Sequence, residues 1–491
     1  MRDNIFSNDT VKKGLIFLTA ILFLAAIFFS AYKLTESPPV WMDEGVIIQT
    51  AKNLAEKAVY GLQVAPNKFV SSGFVTTSYP VIYPIALSFK IFGVGIFQAR
   101  IVMVIFLLAF LLAAYLLIKK EYGLAVAFFS LALIVSFAPV YGHGKNVLGE
   151  IPGLFLLLSS LLFIRKTESE DLNHRKIIYY VAAGVFAGLA MATKPVFLDL
   201  LSFSLITGFL IARPNNFFGK RFYVFAGMAI APLLIFILVH FSGDKFSSIV
   251  SNYYGNPDHH PLLPTIKENS LKFFKEFQLV YFALALFAWS ASMYLRRTAK
   301  SKISFAEIIA FIFSIANFFA FFATLGANRY FFPGQILSIV YLPPSLFYLC
   351  ESASSRLKIN RRAIRFLPYL LLSILILFQF YQTIFHSWVA DNYGSKRSAD
   401  LKEFFSVLPA NKIVMFYDIP EAVLFYSGDD YYQYMRFAES VQIGKETVSE
   451  IKNKKVDEII TSEKSWKTLK EGADFYKLKK EFDKYQIFEK I

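Results

Sequence analysis

Cysteine is almost missing: Cys350 is the single one in 491 residues. That excludes an intrachain disulfide and any thiolate-based zinc cluster. Histidine is scarce, at 6 residues, and neither HExxH nor CxxC occurs. No GxGxxG or GxxxxGK[ST] is present, so nothing supports nucleotide binding. Charge is thin, at 18% of residues, where a soluble domain carries about 25%. Apolar side chains fill the gap: 56% of positions are hydrophobic, 18% are aromatic, and Phe alone occupies 55. They lie in long runs, and the chain reads as a polytopic membrane protein.

Its charge is uneven. Residues 391–491 hold 17 Lys and Arg against 18 Asp and Glu, whereas residues 1–390 hold 34 against 18. The basic residues of the first part are scattered between apolar segments, so nucleic acid is a poor partner for them. A span needs about 20 apolar residues, because a helix rises about 1.5 Å each across a core about 30 Å thick. Eleven segments are candidates, several of them short: 14–32, 97–118, 122–138, 151–165, 177–192, 196–212, 222–241, 276–295, 303–324, 331–349 and 366–386. The first is too long for a signal-peptide core and reads as an uncleaved anchor. Segment 80–93 is shorter and suits a re-entrant or interfacial helix. If it does not cross, the inner loops carry 21 Lys and Arg and the outer loops 11. If it crosses, the bias reverses and breaks the positive-inside rule. The expected topology has eleven spans, a cytoplasmic N-terminus and an extracytoplasmic C-terminus in the plasma membrane.

A domain boundary is expected at 390/391, separating a membrane domain (1–390) from a small extracytoplasmic α/β domain (391–491). In the tail, strands are predicted at Lys412–Tyr417, Tyr431–Phe437 and Val456–Thr461, with a terminal hairpin at Phe475–Phe482 and Tyr485–Phe488. Helical segments alternate with them, which implies a small α/β domain. Packing or recognition suits this domain better than catalysis.

Chemistry points to the outer side. Trp41–Met42–Asp43–Glu44–Gly45 lies in the first outer loop, behind Pro38–Pro39 and ahead of an amphipathic pattern to Tyr60. The two carboxylates read either as capping of that helix or as a general base at the membrane surface. Glu150 opens an apolar span after His143 and Lys145. A carboxylate there complements the helix dipole or sits in a polar cavity. Thr193–Lys194–Pro195 and Asn328–Arg329–Tyr330 place cations at the same outer end, suited to a phosphate or to snorkelling among headgroups. Asp258–His259–His260 in loop 242–275 has no third spaced ligand, so no metal site is expected and a solvated loop fits better.

The order of these features resembles the GT-C glycosyltransferases. It is closest to the group using polyprenyl-phosphate-linked sugars, which includes the protein O-mannosyltransferases and the lipid A aminoarabinose transferase. The matching features are Trp41–Glu44, the Ala51–Tyr60 helix, Tyr79–Pro84, Phe92–Val94 with Arg100, Thr193–Pro195 and Arg329–Tyr330. The resemblance covers about residues 10–350. Two departures stand out. Glu150 takes the place of an Asp in an Arg-rich stretch, and the WWD-type tail motif of oligosaccharyltransferases is absent. The resemblance implies a GT-C-like bundle moving one sugar from a polyprenyl-phosphate carrier to an extracytoplasmic hydroxyl of a protein, lipid or glycan, with inversion. It implies Asp43, Glu44 and Glu150 as catalytic residues and Lys194, Arg329 and Tyr330 at the donor phosphate. His143, Lys145, Asp258 and His259 are candidates for acceptor or loop contacts. No cofactor is implied, and a divalent metal has no support. The rival readings are a multi-span transporter or flippase, and a polymerase of glycan-lipid intermediates.

Overall fold

The structure is a computed structural model. It describes residues 9–169, 173–212, 220–241, 261–275, 277–323, 328–357, 361–387, 396–408, 411–437, 441–469 and 473–491.

The chain opens with α1 (Asp9–Ala31) and a first loop containing α2 (Met42–Lys57) and the hairpin β1 (Gly61–Ala65) and β2 (Lys68–Ser71). After these come α3 (Tyr79–Phe92), α4 (Ile96–Tyr122), α5 (Leu124–Val135), α6 (Pro139–Lys145), α7 (Glu150–Ser169), α8 (Asn173–Thr193), α9 (Pro195–Ala212) and α10 (Lys220–His240). The second half continues with α11 (Leu262–Lys275), α12 (Phe277–Thr298), α13 (Phe305–Phe322), α14 (Phe332–Leu357) and α15 (Arg361–Phe385). Each of the eleven expected spans has a helix. Seven are long and apolar enough to cross a membrane by length and composition, or eight if α5 and α6, bent by 72°, count as one broken span. This is a multi-pass membrane protein. Helices α8 and α10 cross closely because Gly184 and Gly188 present no side chain where the Phe225 and Ala229 carbonyls approach, the small-residue packing typical of membrane helices.

Helix α3 settles which helix ends share a side. At its start the Ser78 N–H donates to the Thr193 carbonyl at 3.1 Å, at the C-terminal end of α8. After its end the chain enters α4, where Arg100 meets Glu44 of α2. Thus α3 enters and leaves at one end of the bundle, as an interfacial segment should. Tyr83, Leu87 and Ile91 form an exposed apolar stripe at helical spacing.

At the opposite end a second charged cluster ties four helices together. Arg296 of α12 grips Glu307 of α13 through two bonds of 2.7 and 2.8 Å. Tyr122 of α4 donates to the same carboxylate at 2.6 Å. Glu168 of α7 accepts from the Phe305 N–H at 2.7 Å. Buried charges survive here because each is paired.

The tail begins with α16 (Arg397–Phe405), and its strands are β3 (Val414–Tyr417), β4 (Tyr431–Arg436), β5 (Gln442–Ile443), β6 (Glu458–Ser462), β7 (Tyr476–Phe482) and β8 (Tyr485–Lys490). They form one sheet in the order β5-β4-β3-β6-β8-β7. Central β3 runs parallel to β4 and β6, and the terminal hairpin adds antiparallel strands. Both faces are covered. Val414 and Phe416 enter one apolar cluster, Met415 and Tyr417 the other, as a strand period of two requires. The expected boundary at 390/391 lies outside the described residues.

Candidate functional site

Helix α2 starts at Met42, three residues ahead of the amphipathic pattern that opens at Gly45, so Asp43 and Glu44 fall in its first turn. Its N-cap is Trp41, which makes no side-chain capping bond. Adjacent helical residues point about 100° apart, and the two carboxylates accordingly have different partners. Glu44 is fully buried. Arg100 grips it bidentately, Nε to Oε1 at 2.8 Å and an Nη to Oε2 at 2.7 Å. The Val147 N–H adds a bond of 3.2 Å. The other Nη of Arg100 reaches the carbonyls of Leu34 and Pro38, both at 2.8 Å, and the Nη that meets Glu44 also donates to Asn146 Oδ1 at 3.3 Å. This cluster joins the α1–α2 linker, α2, α4 and the α6–α7 turn.

Asp43 is about a quarter exposed and pairs with Arg329 at 2.5 Å. The Arg329 guanidinium also lies over the rings of Trp41 and Tyr330, 5.1 and 5.2 Å from their centroids. Its turn is fixed from below by Asn317, whose amide donates to the Tyr330 carbonyl at 2.7 Å and accepts from the Gly334 N–H at 2.8 Å.

A second pair stands beside the first. Glu150, at the first turn of α7, accepts from Lys194 Nζ at 2.5 Å. Burial, the largest single influence, pushes this carboxyl's pKa up, but the charge and hydrogen bond of Lys194, with His143 and Arg329 beside it, together hold the group well below the usual carboxylate range. His143 stacks on Phe332 with 4.0 Å between ring centroids. Burial takes the imidazole down to about 4; the Glu150 charge opposes that shift and Lys194 and Arg329 reinforce it, so the ring is neutral near pH 7. Glu150, Lys194, Arg329 and His143 are therefore close enough to act on one another's charge. Three buried polar atoms here lack a hydrogen-bond partner: Glu150 Oε2, His143 Nδ1 and Trp41 Nε1.

The structure thus brings together Asp43, Glu150, Lys194, Arg329, Tyr330 and His143. Glu44 faces Arg100 instead. Lys145 is buried and donates to the Tyr32 carbonyl at 2.8 Å, at the end of α1. Asp258 and His259 lie outside the described residues. Among the described residues, no three His, Cys, Asp or Glu side chains gather to hold a metal ion. The pairing role of Arg100 was not read from the sequence, though a lone cation in the first turns of a long apolar helix demands a buried partner.

Chemically, two carboxylates and two cations face one another with no net charge. A phosphate could draw both cations, leaving the carboxylates free to accept protons. The sequence profile of the family described as dolichyl-phosphate-mannose-protein mannosyltransferase matches residues 79–240. No curated protein matches the chain. Among solved structures, ArnT from Cupriavidus metallidurans bound to undecaprenyl phosphate aligns with a TM-score of 0.65 at 12% identity, covering 97% of this chain and 98% of that one. Apo ArnT gives 0.63 at 13% identity over the same spans. The oligosaccharyltransferase AglB from Archaeoglobus fulgidus, in complex with an inhibitory peptide and a dolichol-phosphate, gives 0.52 at 13% identity over 93% of this chain and 70% of that one. The GT-C-like fold expected from the motifs is borne out.

Proposed function

We propose that the chain is a membrane glycosyltransferase that moves a single sugar from a polyprenyl-phosphate carrier to an acceptor hydroxyl on the extracytoplasmic side. One observation carries this reading: the Asp43–Arg329 and Glu150–Lys194 pairs meet at one end of an ArnT-like fold. The solved relatives carry undecaprenyl phosphate and dolichol-phosphate, ligands of the proposed donor class. The positive-inside count supports an outward-facing site, with the N-terminus cytoplasmic and the C-terminal domain outside.

In the proposed reaction the acceptor oxygen attacks the anomeric carbon and its proton passes to Asp43. The carbon–oxygen bond to phosphate breaks, and the carrier leaves as a phosphate monoester dianion. Arg329 and Lys194 receive the growing charge. One in-line displacement inverts the anomeric centre. Before donor binds, Asp43 is tied to Arg329. A bound phosphate competes for Arg329, so the donor itself releases the base. Glu44 serves by fixing the first turn of α2 rather than by touching substrate.

The test is transfer of labelled sugar from a polyprenyl-phosphate donor to membrane extract by the purified chain. Asp43→Asn keeps the size but removes the base, so kcat should fall by about 10²–10⁴-fold, while donor KM should not rise, because the donor no longer has to displace a carboxylate from Arg329. Wild-type turnover in Asp43→Asn would remove Asp43 from the mechanism.

A further inference from the structure

Helix α2 is held on three sides. Glu44 meets Arg100 and Asp43 meets Arg329. Two residues of helix turn about 200°, so Gly45 faces roughly away from Asp43. Against Gly45 lies the C-terminal domain. A Cβ on Gly45 would come 2.5 Å from Glu421 Cα and 2.7 Å from its backbone nitrogen. One turn on, Gln49 is buried, donates to the Pro420 carbonyl at 2.7 Å, and accepts a longer bond from the Tyr431 hydroxyl at 3.4 Å.

The opposing turn is itself fixed. Glu421 is buried, and its carboxylate accepts from Lys484 at 2.5 Å and from the Tyr485 hydroxyl at 3.2 Å, both in the last hairpin. Further contacts run along the same face. Gln63 donates to the Asp429 carbonyl at 2.8 Å, and Met435 enters the apolar cluster of Val46, Ile47 and Ile48. At the entry to α2, the Ser398 N–H donates to Glu36 at 2.7 Å.

We propose that the C-terminal domain positions the catalytic helix, with Gly45, Gln49 and the Pro420–Glu421 turn as positioning residues that set where Asp43 stands. The proposal rests on the reading of Asp43 as the base. A general base works only within hydrogen-bond reach of its proton, and misplacement by about 1 Å can cost about 10²-fold. The arrangement makes the terminal hairpin part of the site without touching substrate: Tyr485 and Lys484 hold Glu421, and its backbone backs Gly45.

The test uses the full chain in detergent and compares Gln49→Ala and Gly45→Ala with Lys68→Ala, which removes only an exposed bridge to Glu446 at the rim. Two measurements are made. Hydrogen exchange of residues 42–50 should accelerate in the first two variants and not in the third, while α4 exchange stays as in wild type. Turnover should fall about 10–100-fold in kcat with donor KM within about twofold. The proposal is overturned if exchange and kcat are both unchanged, if exchange rises without a fall in kcat, or if KM alone moves. Should the wild-type chain consume no polyprenyl-phosphate sugar, the transferase reading falls. The exchange measurement then still decides whether this turn holds α2.

Discussion

Asp43 and Glu44 are neighbours in sequence with opposite surroundings. Asp43 is partly exposed and paired with a cation that a ligand can take; Glu44 is sealed with Arg100. Removing one partner of a buried pair leaves an uncompensated charge, at a cost of about 3–5 kcal/mol. Glu44→Gln should therefore lower the melting temperature and the folded yield. The double variant Glu44→Leu with Arg100→Leu should recover part of the loss. An unchanged melting temperature in Glu44→Gln would contradict this role. The Glu150–Lys194 pair predicts a pH dependence. With Lys194 present, the depressed Glu150 pKa contributes stability that is complete above the unfolded value of about 4.3 and is lost only as pH falls through the folded one. In Lys194→Met the main charge opposing burial is gone, Arg329 remaining, and the carboxyl pKa rises. The variant's melting temperature should then drop as pH increases from 5 to 8, while the wild type stays flat. Parallel curves would break the assignment. Most of these residues are visible in the sequence as charges beside apolar runs. Their partners are not: Asp43 and Arg329 are 286 positions apart, and no local pattern encodes that pairing.

At the level of elements, the helices were the most legible part. Each expected span has its helix, because twenty apolar residues admit few alternatives. The tail strands also follow their apolar alternation: β3 and β4 fall within the expected segments, and β6 runs one residue past the third. The β1–β2 hairpin was missed. Its signal was Pro66–Asn67 between two short apolar runs, with Asn67 in the left-handed region at φ 56. Two-residue strand β5 carries too little pattern to find. The same-end return of α3 leads to a topological prediction. With Cys350 replaced, Lys68→Cys should react with an impermeant thiol reagent on intact cells, and Lys300→Cys only after permeabilisation. The reverse pattern would invert the proposed orientation.

For the whole molecule, composition separates the tail from the bundle, yet the two share a core through Met435 and the Gln49 contact. We propose residues 1–390 and 391–491 as units in sequence that do not function apart. Truncation after Ser387 should leave an inserted bundle whose first loop is sensitive to protease, with kcat for any acceptor reduced at least tenfold. Normal turnover by the truncated chain would show that the bundle suffices.

Docking of the Pro420–Glu421 turn onto α2 also has a consequence in time. The first loop leaves the ribosome early, and the surface that covers Gly45, Gln49 and Val46, formed by Pro420, Glu421 and Met435, is made much later. During synthesis that apolar face waits at the membrane surface without its cover. On the proposed reading, a product terminated before residue 420 carries every charged residue of the site, lacks the turn that backs Gly45, and should be inactive.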